Sequence, residues 1–308
     1  MIDEQRVKSF VSKLLLFGEY GLMFGAKALA IPFAAYFGQL DQGESLTDDE
    51  DQKRSHDELK RFLAWFRDKK INEELYFPLK EEALIKALDE HWYFRSNVPL
   101  QYGVGSSGAL CAALYDRFGT FDRKMLTENP KITIQLKHDF MLMESFFHGK
   151  SSGLDPLVSF LNCPLLYKNK EVVFPSLKLD NLSWSVYLID TLKSSATAPL
   201  VKLFMHKMKD PVFMEIFKRD YIRANDGAIE AFIENDPVKL FNCLAEITRF
   251  QLTHFKEMIP PAFRLLIEEL LEQKIYVKLL GSGGGGFLQV FSEKPLDPDQ
   301  LKNSLKVI

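Results

Sequence analysis

The sequence predicts an α+β protein in two lobes. Apolar runs of strand length are concentrated in the first part of the chain. Helical spacing then dominates to about residue 273, and the chain returns to two short strands around "GSGGGG". The 308 residues are 46% hydrophobic, enough to bury the cores of one large or two medium domains. A boundary near residue 180 would divide an N-terminal domain, 1–180, from a C-terminal one, 181–308.

Each element follows from local pattern. "SKLLLF" at 12–17 reads as a buried strand, followed by a turn at Gly18, Gly21 and Gly25. "KALAIPFAAYFGQL" reads as a second strand, with Pro32 weakening any central position. The acid-rich 41–60 stretch reads as a solvated loop leading into a helix, and 57–68 and 81–90 have helical spacing. "HWYFRSNVPL" is extended. From Ser107, apolar residues recur at Leu110, Ala113, Leu114 and Phe118, which is one face of a helix. Residues 133–147 form another helix closed by Gly149, "CPLLYKNKEVVFPSL" gives strands and a turn, and 184–190 is a further strand. Turns at Asp210-Pro211, Asp236-Pro237 and Pro260-Pro261 punctuate the helices before the strands "KIYVKLL" and "FLQVF".

Composition excludes several classes. With 39 Lys and Arg against 42 Asp and Glu, the net charge is −3, which lacks the basic excess of a nucleic-acid binder. Cys111, Cys163 and Cys243 lie far apart with no metal-ligand spacing, as expected of reduced thiols. "MIDEQRVKSF" is too polar for a signal peptide, and "ALAIPFAAYFG" is too short to span a membrane. The expectation is a soluble cytoplasmic protein with no nucleic-acid or membrane partner. A homodimer is left open.

Three glycine-rich stretches carry chemistry. In "GVGSSG", 103–108, glycines and serines precede a helix. An ordinary capped helix would use such residues. So would a phosphate cradle, because the first helical amides lack intrahelical partners and the dipole favours an anion. "GSGGGG", 281–286, is longer than a hairpin turn needs, which suggests a ligand lying against the main chain. "HGKSSGLDP", 148–156, contains Gly149-Lys150-Ser151, but Glu144 stands where a Walker A loop needs its first glycine. Asp155 by itself reads as a turn aspartate.

Together and in order, "KLLLFGEYGLMFGAKALAIP" (13–32), "GVGSSGALCAALYDRF" (103–118), "HGKSSGLDP" (148–156) and "KLLGSGGGGFLQVF" (278–291) resemble the GHMP kinase superfamily, and within it the mevalonate kinases. The resemblance runs from Lys13 to Phe291. It implies a two-lobed GHMP kinase fold, with an N-terminal lobe like the second domain of ribosomal protein S5 and a ferredoxin-like C-terminal lobe. It implies ATP and Mg²⁺ as cofactors and transfer of phosphate to a small-molecule substrate. The acceptor it points to is mevalonate, phosphorylated at its 5-hydroxyl in isoprenoid biosynthesis.

By the same resemblance, Asp155 and Lys13 are catalytic, and Gly103, Gly105, Ser106, Ser107 and Gly108 hold ATP. Ser107 and Glu144 would be the metal ligands. Glu19, Tyr20 and Thr197 would meet the acceptor, and Gly283, Gly284 and Gly285 would lie near the phosphates. His148 would support the Asp155 loop. The sequence departs from the mevalonate kinase pattern at Tyr20, where His is usual, and at Ala198, where Arg is usual. Lys193 is then the candidate for a substrate carboxylate. These departures keep phosphomevalonate or a sugar open as acceptor, and a non-catalytic nucleotide-binding member or a decarboxylase relative as alternatives.

Overall fold

The computed structural model describes residues 8–44, 49–100, 102–129, 131–177, 179, 182–297, 301 and 303–308. β1 (Phe10–Phe17) is buried along most of its length, as its continuous apolar run requires. A short 3-10 turn (Gly21–Phe24) leads to β2 (Ala28–Gln42). Pro32 falls between two ladders of that long strand: Ala28–Ala30 pair with β4 (Leu165–Lys168), and Gly38–Gln42 pair with β3 (Trp92–Ser96). A residue with no N–H donor thus sits outside these two ladders; β2 also pairs with β1.

The helices of the first half are α1 (Glu50–Asp68), α2 (Ile71–Glu74), α3 (Glu81–Asp89), α4 (Ser106–Phe118), α5 (Met125–Glu128), α6 (Ile132–His148) and α7 (Leu154–Leu161). After β4 come β5 (Glu171–Val173) and β6 (Ser185–Asp190). The helices α8 (Thr197–Lys207), α9 (Pro211–Ile216), α10 (Arg223–Glu234), α11 (Pro237–His254) and α12 (Arg264–Glu272) follow. A π-helical segment (Phe217–Ile222) joins α9 to α10. β7 (Tyr276–Leu279), β8 (Phe287–Ser292) and β9 (Ser304–Lys306) complete the chain.

The chain forms two compact units, and several segments contribute to each. The first comprises Met1–Lys13, Pro32–Pro99 and Gly105–Cys163; the second comprises Leu14–Ile31, Leu100–Val104 and Pro164–Ile308. The large second segment therefore starts at Pro164, and the division also cuts β1 after Lys13.

In the first unit, α4 packs against α6 and α7 over a core that includes Leu114, Tyr115, Leu136, Phe140 and Leu157. The buried Asp139 clamps the loop after α2 to this core. Its carboxylate accepts from the Tyr76 and Phe77 amides and from the Tyr115 hydroxyl, at 2.8, 3.0 and 2.7 Å.

In the second unit, an antiparallel sheet of order β7-β8-β6-β9 carries α11 against β7. Its core is aromatic, with Phe204, Phe217, Tyr221, Phe250 and Phe255 in mutual contact. Among the described residues, no helix is long and apolar enough to cross a membrane.

Candidate active site

The glycine loop ends as a bare helix N-terminus. Gly103 and Gly105 have φ of +77° and +82°, and Gly105 is the N-cap residue of α4, with no side chain capping it. Ser106 and Ser107 are thus the first helical residues rather than caps. No side chain caps this 13-residue helix, and a helix N-terminus of that kind favours an anion. Gly108 is required for a different reason. A Cβ there would lie 2.9 Å from the Asp155 carbonyl carbon and the Pro156 nitrogen, so the first turns of α4 and α7 touch.

That contact places Asp155. The residue stands in the first turn of α7 rather than in an open turn, after Gly153 at φ +71°. The Gly153 and Leu154 amides donate to the hydroxyls of Ser151 and Ser152, at 2.9 and 3.3 Å. Lys13, projecting from β1, brings its ammonium to 3.0 Å from Asp155 Oδ2. The lysine side chain is 6% exposed and the aspartate 29%, so the ammonium is fixed while the carboxylate keeps an open side. Gly105 leaves room for this pair: a Cβ there would sit 2.9 Å from Lys13 Cγ.

Glu144 lies beside them, buried near the end of α6. Ser107 Oγ donates to its Oε1 at 3.0 Å, and Ser151 Oγ donates to its Oε2. Burial, and then the neighbouring Asp155 carboxylate, push the Glu144 carboxyl up to about 8; the two serines and Lys13 act in the opposite direction. A bound cation would favour the charged form. The donor set is all oxygen, one carboxylate with hydroxyls, which suits Mg²⁺. Among the described residues no group of three His, Cys, Asp or Glu side chains could hold a metal, so phosphate and water would supply the remaining ligands. Ser107→Ala and Glu144→Gln are each expected to raise the Mg²⁺ needed for half-maximal turnover. Unchanged titration curves for both would remove the metal assignment.

Gly105→Ala is expected to cost about 1–3 kcal/mol of stability and to lower turnover by displacing Lys13. Gly25→Ala is the control, because Gly25 has φ +89° but nothing within 4 Å of an added Cβ. Equal turnover in the two variants would show that only backbone conformation matters at Gly105.

Lys13, Ser107, Glu144 and Asp155 thus come together in the first unit. Gly105, Ser106 and Gly108 belong to the same unit, and Gly103, Glu19, Tyr20, Thr197, Gly283, Gly284 and Gly285 belong to the second. Glu19, expected to face an acceptor, is buried and accepts from Lys278 Nζ at 2.6 Å, both side chains being 1% exposed. Sequence reading missed Lys278: it lies on a strand, where a lysine ordinarily marks the solvent face.

Tyr20 is also buried. Its ring contacts Phe204 and Phe255, and its hydroxyl donates to the Ser282 carbonyl at 2.6 Å. Thr197 is the exposed first residue of α8, and the Lys193 side chain is exposed. The run at 283–286 packs closely on protein. The Gly284 amide donates to the Met258 carbonyl at 2.6 Å, and the Gly286 amide to the Lys193 carbonyl at 2.5 Å. Cβ atoms at Gly283, Gly285 and Gly286 would collide with Met258, Lys193 and Tyr102. The glycines expected beside phosphates therefore have a packing requirement of their own. The loop also lies against the first glycine stretch, since Gly103 faces the Leu280 carbonyl and Gly281. The His148 side chain lies outside the described residues.

The mixed helix and sheet of this chain match the GHMP kinase fold of its structural neighbours. The L. major mevalonate kinase in complex with R-mevalonate superposes with a TM-score of 0.63 at 16% identity, over 98% of this chain and 95% of that one. Streptococcus pneumoniae phosphomevalonate kinase in complex with phosphomevalonate and AMPPNP gives 0.61 at 13% identity, over 98% and 100%. Lactococcus lactis galactokinase complexed with galactose gives 0.56 at 14%, over 94% and 87%. No protein-family model matches the sequence, and no curated protein sequence does.

Proposed function

We propose that this chain transfers the γ-phosphoryl group of ATP to a hydroxyl of a small molecule, and that the acceptor is the 5-hydroxyl of mevalonate. The observation that carries the kinase reading is the Lys13–Asp155 pair at 3.0 Å, held where the first turns of α4 and α7 meet. Phosphoryl transfer depends on positioning and charge neutralisation more than on covalent chemistry. The N-terminus of α4, which no side chain caps, offers the first contact for phosphate oxygens. Asp155, oriented by Lys13 and open on one side, accepts the proton of the acceptor hydroxyl. Lys13 offsets charge that develops on the transferred group. Ser107 and Glu144 would hold Mg²⁺, which supplies neutralisation of the phosphate charge when bound. The order of four motifs and near-complete coverage of a mevalonate kinase structure support mevalonate as the acceptor. Cytoplasmic location and a place in isoprenoid synthesis belong to the same reading.

The test is ADP release with ATP and Mg²⁺, run with mevalonate, phosphomevalonate, homoserine, galactose and no acceptor. Release with mevalonate alone supports the full proposal. Release with another acceptor keeps the kinase and overturns the substrate, pointing to Ala198 among the departures from the mevalonate kinase pattern. ATP binding with no release for any acceptor would favour a nucleotide-binding role.

A further inference from the structure

Residues 19 and 20 grip one short segment at two points. Lys278 Nζ donates to Glu19 Oε1 at 2.6 Å, to the Leu279 carbonyl at 3.0 Å and to Gln289 Oε1 at 3.2 Å. Gln289 Nε2 in turn donates to the Leu15 carbonyl at 2.6 Å, which closes the link back to β1. Four residues beyond Lys278, the Ser282 carbonyl takes the hydroxyl of Tyr20. The far half of the glycine loop has its own anchors, from Gly284 to Met258 and from Gly286 to Lys193 and Thr191. The near half is tied by Tyr20.

Tyr20 is held there against its backbone preference. Its φ of +59° with ψ of −40° lies outside the ordinary wells of a bulky residue, and such a conformation persists only where the surroundings impose it. Phe204 and Phe255 impose it by packing, with ring centroids 4.4 and 5.4 Å from that of Tyr20. Burial, and then the adjacent Glu19 carboxylate, push the phenol well above the usual tyrosine range, so the hydroxyl remains a donor at any working pH.

We propose that Tyr20 is a positioning residue for nucleotide binding: its hydrogen bond to the Ser282 carbonyl sets where the start of the 281–286 loop lies against Gly103. The inference rests on the kinase reading and replaces direct acceptor contact as the role of Tyr20. Loss of the bond loosens residues 280–283 and weakens ATP binding, with no direct effect on the acceptor.

Tyr20→Phe is the test, because it keeps the ring in its seat and removes only the hydroxyl. Amide hydrogen exchange by mass spectrometry is expected to quicken in peptides covering 280–286. The KM for ATP is expected to rise about three- to tenfold, with the acceptor KM unchanged. Unchanged exchange in those peptides would overturn the latch. A rise in acceptor KM alone would overturn it in favour of acceptor contact. Calorimetric titration of the wild type with ATP, run alongside, separates the two levels: no binding there would overturn the kinase reading itself, whereas the exchange result needs no activity.

Discussion

Asp155→Asn is expected to lower turnover by about 10²–10⁴-fold while ATP binding is retained. The substitution conserves shape and removes the proton-accepting charge. The amides at the start of α4, which are the first contact proposed for phosphate, are untouched by it. The pair makes the experiment informative, because Lys13 is nearly buried and Asp155 is not. If Asp155 only balanced the lysine charge, Asp155→Asn would lose stability and leave the chemistry of the folded fraction intact. If it accepts the proton, turnover per folded molecule falls and the melting temperature moves less. Measuring both on the same preparation separates these cases. Turnover within about tenfold of wild type would move the base elsewhere.

Much of the fold was legible because local pattern matched burial. The apolar periodicity after Ser107 became α4, "SKLLLF" became most of β1, and the two strands flanking "GSGGGG" became β7 and β8. The misses have physical causes. Pro156 and the small residues before it suggested a turn, yet proline is well tolerated in a first helical turn, and α7 begins at Leu154. Ser106 looked like a cap, but the cap position needed φ of +82°, which a glycine adopts freely. Each of the two units draws on several segments of the chain, which no local pattern in the sequence marks. Within the candidate site, Lys13, Ser107, Glu144 and Asp155 were legible only as a set of motifs, since each has an ordinary explanation alone. Lys278 was not legible at all, because its partner Glu19 lies 259 residues away and burial leaves no mark on an isolated lysine.

Lys278→Met is expected to destabilise the second unit by about 3–5 kcal/mol, because it removes the cation that the buried Glu19 carboxylate faces. The loss is large against a typical total of about 5–15 kcal/mol. Chemical unfolding followed by exchange in peptides from 14–31 and 276–292 would measure it, and a change under about 1 kcal/mol would mean that water or another group solvates Glu19. The informative comparison is Glu19→Leu/Lys278→Met. Desolvation offsets much of the attraction in a buried ion pair, so an apolar pair of similar volume is expected to recover most of the lost stability. Turnover is expected to stay low in that double variant, since residues 18–25 would no longer be fastened to β7 through a directional bond. Recovery of both would reduce the pair to packing. Recovery of stability without turnover would mean that the charges are kept for the position they impose on the Glu19–Tyr20 turn and on the glycine loop that follows β7.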